Sequence, residues 1–388
     1  MNAEEVSGQG GFKRGARVLI GMSGGVDSSV AAWMLKQQGY EVIGVTMKVW
    51  PQDCMSRAED KCCGPQAIAD ARGVAHSLGI AHYVVDEAES FERQVIDYFT
   101  AEYQAGRTPN PCVMCNEKVK FGNLRAKARA IGAEFIATGH YAIVDHLENR
   151  SVLRKGKDPK KDQSYFLFSL RQEQLRAAFF PLGGMEKREI RAIARQLGLK
   201  VADKADSQEI CFVPGNDYKA FLKGHLGSDR FQPGGIFDKW GKRLGEHEGI
   251  EMFTIGQRKG LPGGSAKPMY VIDIDPETKR VVVGEAEDLI VEEFEADHVT
   301  WNFEGDQVPS AVECVAKIRY AHAGAEAVVY PEADGKARVR FQVPQRAVTP
   351  GQAAVFYEGD RVLGGGWIAR NRSVVAPGSE WESSAKVS

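Results

Sequence analysis

The sequence predicts an α/β chain in three parts: a Rossmann-like domain on a parallel sheet, a small mostly β central domain, and a C-terminal antiparallel β-barrel. Three observations carry this. Short apolar runs alternate with amphipathic stretches up to about residue 140, glycine becomes frequent after Cys211, and evenly spaced strand-like runs follow from about Glu293. At 388 residues the chain is also longer than one hydrophobic core usually serves.

In the first part, the runs 18–21, 42–47, 82–86 and 135–138 are short and continuously apolar, as strands buried on both faces are. Helices are expected between them. Residues 28–38 end at Gly39, and 91–105 place Phe91, Val95, Tyr98, Phe99 and Tyr103 on one side. Strands alternating with helices give a parallel α/β sheet. Further on, 269–275 and 280–283 flank Pro276-Glu277-Thr278 as a hairpin. The runs 312–320, 325–330, 336–343, 353–357 and 361–368 are separated by turn signals such as Asp334-Gly335 and Glu358-Gly359-Asp360. They suit a small barrel, a module that often grips nucleic acid. The expected domains are 15–212, 213–288 and 289–372, with a loose serine-rich tail at 373–388.

Lys and Arg (50) nearly balance Asp and Glu (52), so any contact with nucleic acid needs local basic patches. Arg154, Lys155, Lys157, Lys160 and Lys161 form one such run; Lys118, Lys120, Arg125, Lys127 and Arg129 form another. Either run also reads as a solvated face. Seven cysteines without framework spacing argue for thiols kept reduced inside a cell. The first apolar run, 18–22, is too short for a signal peptide or a membrane span, so a cytoplasmic protein is expected.

The sharpest local signal is Gly21-Met22-Ser23-Gly24-Gly25-Val26-Asp27-Ser28-Ser29, which follows the first strand and opens a helix. Glycines let the backbone approach an anion, Ser23 and Ser28 offer hydroxyls, and the helix start offers N–H groups at its positive end. The loop is suited to phosphate, although incidental serines in a tight turn would look alike. It has neither the lysine of a Walker A loop nor dinucleotide glycine spacing. It is similar to the SGGxDS loop of ATP pyrophosphatases. Asp27 is then a carboxylate near Mg2+ or pyrophosphate, or a first-turn residue complementing the helix dipole. Met47 and Gly139-His140 end strands at the same rim, where nucleotides meet such sheets.

Two cysteine segments stand out. Asn110-Pro111-Cys112-Val113-Met114-Cys115-Asn116 is a proline-rich loop leading into a helix expected to start at an Asn116 N-cap, which would put Cys115 where thiol pKa values fall. Cys211 lies just before the change of domain. Cys54, Cys62 and Cys63 occupy a polar insertion whose spacing fits no standard zinc finger, and Cys314 alternates into the barrel core.

Taken together, these features closely resemble the bacterial tRNA-specific 2-thiouridylase (MnmA) family. The blocks SGGVDSS at 23–29, GRTPNP with a following CN at 106–116, ATGHY at 137–141, KDQSYFL at 161–167, ICF at 210–212, GQRKGL at 256–261, RY at 319–320 and TPGQ at 349–352 occur in one order. The resemblance implies a PP-loop ATP-binding domain, a small central domain and a C-terminal β-barrel, and ATP-dependent 2-thiolation of the wobble uridine of tRNAs for lysine, glutamate and glutamine. It implies ATP binding by Gly21, Met22, Ser23, Gly24, Gly25, Val26, Asp27, Ser28, Met47 and Gly139. Asn110, Pro111 and Cys112 would touch the target base; His140, Lys161, Asp162, Gln163, Arg319, Tyr320 and Gln352 would contact tRNA. Cys115 would be the nucleophile and Cys211 the persulfide carrier, closing a transient disulfide. Many relatives carry an aspartate where this chain has Cys112.

The implied chemistry suits these residue types. A uracil 2-oxygen leaves poorly, whereas an adenylated one departs as AMP, with Mg2+ offsetting phosphate charge. Sulfur then arrives from a persulfide supplied by a donor or relay protein. A four-iron four-sulfur cluster on Cys112, Cys115 and Cys211 is the competing sulfur device. An ATP-dependent amide ligase would share the phosphate loop without needing the cysteines, and a non-catalytic binding module would hold ATP and tRNA without releasing pyrophosphate.

Overall fold

The computed structural model describes residues 15–49, 64–204, 210–263, 267–303 and 308–370. The insertion with Cys54, Cys62 and Cys63 and the tail from 373 lie outside the described residues.

The N-terminal part carries β1 (Arg17–Gly21), β2 (Glu41–Lys48), β3 (Ala81–Asp86), β4 (Phe135–Ala137), a hairpin of β5 (Ala142–His146) and β6 (Ser151–Lys155), and β7 (Ala178–Phe179). A five-stranded sheet runs β3-β2-β1-β4-β7, with every pairing parallel. Helices α1 (Val26–Gln37) and α2 (Pro65–Leu78) follow β1 and β2. Val18 and Ile20 face the cluster of Val30, Leu35 and Ala71, while Leu19 faces that of Phe121, Leu124 and Phe180, so β1 is buried on both faces. This is why β1 reads as an unbroken apolar run, whereas the edge strand β3 exposes Tyr83. Helix α1 stops where Gly39 takes a φ of 83°.

The helix expected to begin at Asn116 instead begins at Pro111, with Asn110 as its cap residue. Proline suits a first helical position, having no N–H to leave unpaired and a φ already near the helical value. Asn116 is interior and buried; its amide donates to the Phe166 carbonyl (3.0 Å) and accepts from Lys120 Nζ (2.9 Å). The segment 115–123 winds as a π-helix, which Gln174 braces by donating to the carbonyls of Glu117 (2.8 Å) and Phe121 (3.1 Å).

The central part holds β8 (Gly234–Asp238), β9 (Arg243–His247), β10 (Tyr270–Asp275) and β11 (Arg280–Gly284), in the order β10-β11-β8-β9. The expected hairpin is β10–β11, its turn eased by Lys279 at φ 55°. The C-terminal part holds β12 (Ile290–Trp301), β13 (Val312–Lys317), β14 (Ala325–Pro331), β15 (Ala337–Arg346), β16 (Ala353–Glu358) and β17 (Arg361–Ile368). Antiparallel pairing runs β12-β15-β14-β13-β16-β17, and β12 pairs again with β17 to close the barrel. Phe294, Val329, Val339 and Phe356 fill it, together with Cys314, whose thiol burial pushes up to about 12.

Sequence periodicity did not suggest that β5–β6, from the first part, joins the barrel sheet beside β17. Lys155 N–H donates to the Asp360 carbonyl (2.8 Å), Lys155 Nζ to the Gly359 carbonyl (2.9 Å), and Arg154 pairs with Asp145 and Asp360. Two residues of the basic run are thus engaged in docking the barrel. Lys160 remains exposed.

Candidate phosphate and cysteine site

The phosphate loop is assembled by close backbone packing. Gly24 has a φ of 69°, and a Cβ there would overlap the Ala67 carbonyl of α2. A Cβ on Gly139 would come within 2.8 Å of Ser28 N, so the end of β4 lies directly against the first turn of α1. Gly139 is therefore required by contact with the loop itself. Ser28 Oγ accepts from Ser23 N–H (3.2 Å), and Thr46 Oγ1 donates to the Met22 carbonyl (2.7 Å), fixing the loop between β1 and β2. Met47, one residue on, is half-buried between two core clusters.

Asp27 has partners the sequence did not reveal. Lys187 Nζ donates to both its oxygens, at 2.8 and 2.7 Å, and the Tyr141 hydroxyl donates to one at 2.7 Å. Lys204 Nζ reaches the Gly24 carbonyl (3.2 Å) and Asp70 (2.8 Å). Neither lysine belongs to a glycine-rich signature. The available signal at Lys187 was a cation opening an amphipathic helix, against the usual dipole preference.

The cysteine segments pack against the cluster that takes in Met47 and Val49 at the end of β2. Cys115 and Cys211 are half-buried against one apolar cluster that includes Phe91, Phe99, Val119 and Phe212, whereas Cys112 is exposed. Because the helix starts at Pro111, Cys112 lies in its first turn and Cys115 one turn further in. The N-terminal location argued for Cys115 therefore passes to Cys112.

Around these thiols, Asn110 and Pro111 are buried. His140 is buried between the rings of Phe121 and Phe180, with Thr138 Oγ1 2.7 Å from its Nδ1. Burial first, and Lys120 second, hold its imidazole well below the usual histidine range, so it is neutral at physiological pH. Asp162 is buried and accepts from the N–H groups of Gly156 (3.0 Å) and Ser164 (3.1 Å); Gln163 accepts from Tyr141 N–H (3.0 Å). These two residues secure the loop that Lys161 enters. Tyr320 packs against Phe166 with tilted rings whose centroids are 4.5 Å apart, and Arg319 donates to the Arg346 carbonyl (3.4 Å). Gln352 donates to the Thr108 and Pro109 carbonyls, so the barrel holds the cysteine loop directly.

Fold and site together define a phosphate-loop α/β protein with two appended β domains and a pair of thiols near the rim of its parallel sheet. Family models match each part: a tRNA methyl transferase HUP domain over residues 16–215, a tRNA methyl transferase PRC-barrel domain over 219–285, and an aminomethyltransferase beta-barrel domain over 291–368. A tRNA-specific 2-thiouridylase MnmA 1 of Caldanaerobacter subterraneus subsp. tengcongensis is 52% identical across 91% of this chain and 98% of its own. The MnmA of Heliobacterium modesticaldum is 50% identical across 93% and 94%. The chain belongs to the tRNA-specific 2-thiouridylase (MnmA) family.

Proposed function

We propose that this protein uses ATP to replace the 2-oxygen of the wobble uridine of tRNAs for lysine, glutamate and glutamine with sulfur, releasing AMP and pyrophosphate. The observation that carries this reading is that Cys115 and Cys211 pack on one apolar cluster with Met47, the neighbour of the Thr46 whose hydroxyl bonds the Met22 carbonyl of the phosphate loop. The methyl-transfer wording of two family models does not account for either feature; the thiouridylase relatives do.

In this reading ATP lies on Gly21 to Ser28, with Met47 and Gly139 at its margins. Asp27 offers the hard carboxylate oxygens that Mg2+ takes, and the ion, when bound, offsets phosphate charge. The uridine 2-oxygen attacks the α-phosphorus and pyrophosphate leaves. The terminal sulfur of a Cys211 persulfide attacks C2 and AMP leaves, giving a disulfide between base and enzyme. Cys115 thiolate then attacks the Cys211 sulfur, which frees the 2-thio base and closes a Cys115–Cys211 disulfide. A two-electron thiol reductant reopens it, and a persulfide-bearing donor protein recharges Cys211. The common environment of Cys115 and Cys211, not shared by exposed Cys112, favours this two-thiol scheme over an iron–sulfur cluster on all three.

Asn110, Pro111 and Cys112 would receive the base, with neutral His140 as a hydrogen-bonding group rather than an acid. Lys161, Arg319 and Tyr320 would extend contact along the tRNA. Asp162, Gln163 and Gln352, which contact protein backbone here, would act on tRNA through the loops they secure. The test is incubation with ATP, Mg2+, a persulfide donor and tRNA, followed by nucleoside mass spectrometry. Formation of 2-thiouridine with equimolar AMP and pyrophosphate is expected. An amide product would indicate the ligase alternative, and binding without pyrophosphate release the non-catalytic one.

A further inference from the structure

The ion pair between Asp27 and Lys187 joins two helix N-termini at the phosphate loop. Lys187 opens the helix Lys187–Gln196, where the positive end of the backbone dipole disfavours a cation. Its side chain is also buried, which removes hydration from the ammonium. Neither placement favours helix stability. The base of the side chain is nevertheless held firmly: Lys187 N–H donates to Asp158 (3.0 Å), and Glu186 and Glu189 form a capping box around the first turn. The ammonium is thereby carried to both oxygens of Asp27, itself in the first turn of α1.

A phosphate seated on Ser23 and the Ser28 N–H would lie beside the Asp27 carboxylate, and two such anions repel unless a cation stands between them. Lys187 is placed to supply one such positive charge, beside the Mg2+ that Asp27 would also attract, and an ammonium on a flexible four-carbon stem can reach a second anion without moving the backbone. Lys204 is differently committed, since its contacts with Asp70 and the Gly24 carbonyl tie α2 to the loop. We infer that Lys187 is a further phosphate-binding residue, whose ammonium, held by Asp27, also donates to a triphosphate oxygen of ATP. Tyr141, which donates to the same carboxylate, keeps Asp27 in place. The inference rests on the ATP reading of the loop.

The test is calorimetric binding of ATP and, separately, of adenosine, both with chelator present, to the wild type, Lys187→Met, Lys187→Arg, Asp27→Asn and the double variant Asp27→Asn/Lys187→Met. A charge-assisted hydrogen bond contributes enough that Lys187→Met should weaken ATP binding roughly 10- to 100-fold. Adenosine affinity should not change, Lys187→Arg should recover part of the loss, and the loss should persist in the double variant relative to Asp27→Asn alone. Equal losses for ATP and adenosine would mean a structural role and overturn the inference. So would full recovery by Asp27→Asn, which would mean that the lysine only neutralises the aspartate. A wild type that binds adenosine but gains nothing from the triphosphate would overturn the ATP reading itself, a different result from either.

Discussion

Gln352, on the loop before β16, donates from one amide nitrogen to the carbonyls of Thr108 (3.1 Å) and Pro109 (3.0 Å), two residues upstream of the helix that bears Cys112 and Cys115. Thr108 N–H returns a bond to the Pro350 carbonyl (2.8 Å), so barrel and cysteine loop are tied in both directions. Gln352→Ala removes a donor shared by two carbonyls and should cost about 1–3 kcal/mol. Gln352→Glu should cost more, because it aims a carboxylate at two carbonyl oxygens. Thermal unfolding checks the order, wild type above Ala above Glu. If the residue serves only as a surface contact for RNA, the three melting curves will coincide.

Packing around the phosphate loop predicts that Gly139→Ala impairs nucleotide binding by displacing the first turn of α1. The added methyl would sit 2.8 Å from Ser28 N and 3.0 Å from the Asp27 carbonyl carbon, so the first turn of α1 must shift. Positional errors of this kind cost roughly 100-fold in rate when they displace reacting groups. Pyrophosphate release should fall by about that factor while circular dichroism is preserved. Ser28→Ala, which removes the hydroxyl accepting from Ser23 N–H, should lower release as well. Wild-type release from both variants would take the loop out of the chemistry.

The first four strands, the capping glycine of α1 and the phosphate loop were legible because each depends on local chemistry: continuous apolar runs, a left-handed glycine, and serines at a helix start. The barrel was legible from its turns. The β5–β6 hairpin was not, because its union with β17 is decided by Lys155 and Arg154 meeting residues 359–360, some two hundred positions away. Lys187 escaped for the same reason: its partner, Asp27, is 160 residues distant. The Asn116 cap was misread because asparagine is a good cap in isolation, yet Pro111 starts the helix earlier and tertiary bonds to Phe166 and Lys120 engage the Asn116 amide.

Histidine burial predicts acid sensitivity. Desolvation lowers the imidazole pKa values of His82, His140, His146, His247 and His322, most strongly at His140. The unfolded chain, with histidines near 6.5, therefore binds more protons than the folded one just below that pH. Stability should be constant with respect to these groups above about 6.5 and should fall as pH drops from there towards their lower folded values. Urea unfolding at pH 7.5, 6.5 and 5.5 checks the sign, with the midpoint lowest at pH 5.5. A His140→Gln variant should lose less between pH 6.5 and 5.5 than the wild type.

The last prediction separates the thiols by environment. Cys314 is buried in the barrel, with its thiol pushed up to about 12 by burial and by nearby Glu326, so it stays protonated and inert. Cys112 is exposed in the first turn of its helix, where a reagent can reach its sulfur. Among the cysteines of the described residues, an alkylating reagent applied to the native protein should therefore modify Cys112 first, the half-buried Cys115 and Cys211 more slowly, and Cys314 only on unfolding, as peptide mass spectrometry would report. Activity should follow a different order. Cys115→Ser and Cys211→Ser should each stop multiple-turnover thiolation, Cys314→Ser should leave it intact, and Cys112→Ala should retain it if sulfur travels as a persulfide on Cys211. Loss of thiolation in Cys112→Ala, together with loss of iron and acid-labile sulfide after anaerobic purification, would instead assign all three thiols to a cluster. The two orders differ because reactivity toward a small reagent follows exposure and thiolate fraction, whereas sulfur transfer requires two thiols to reach one uridine.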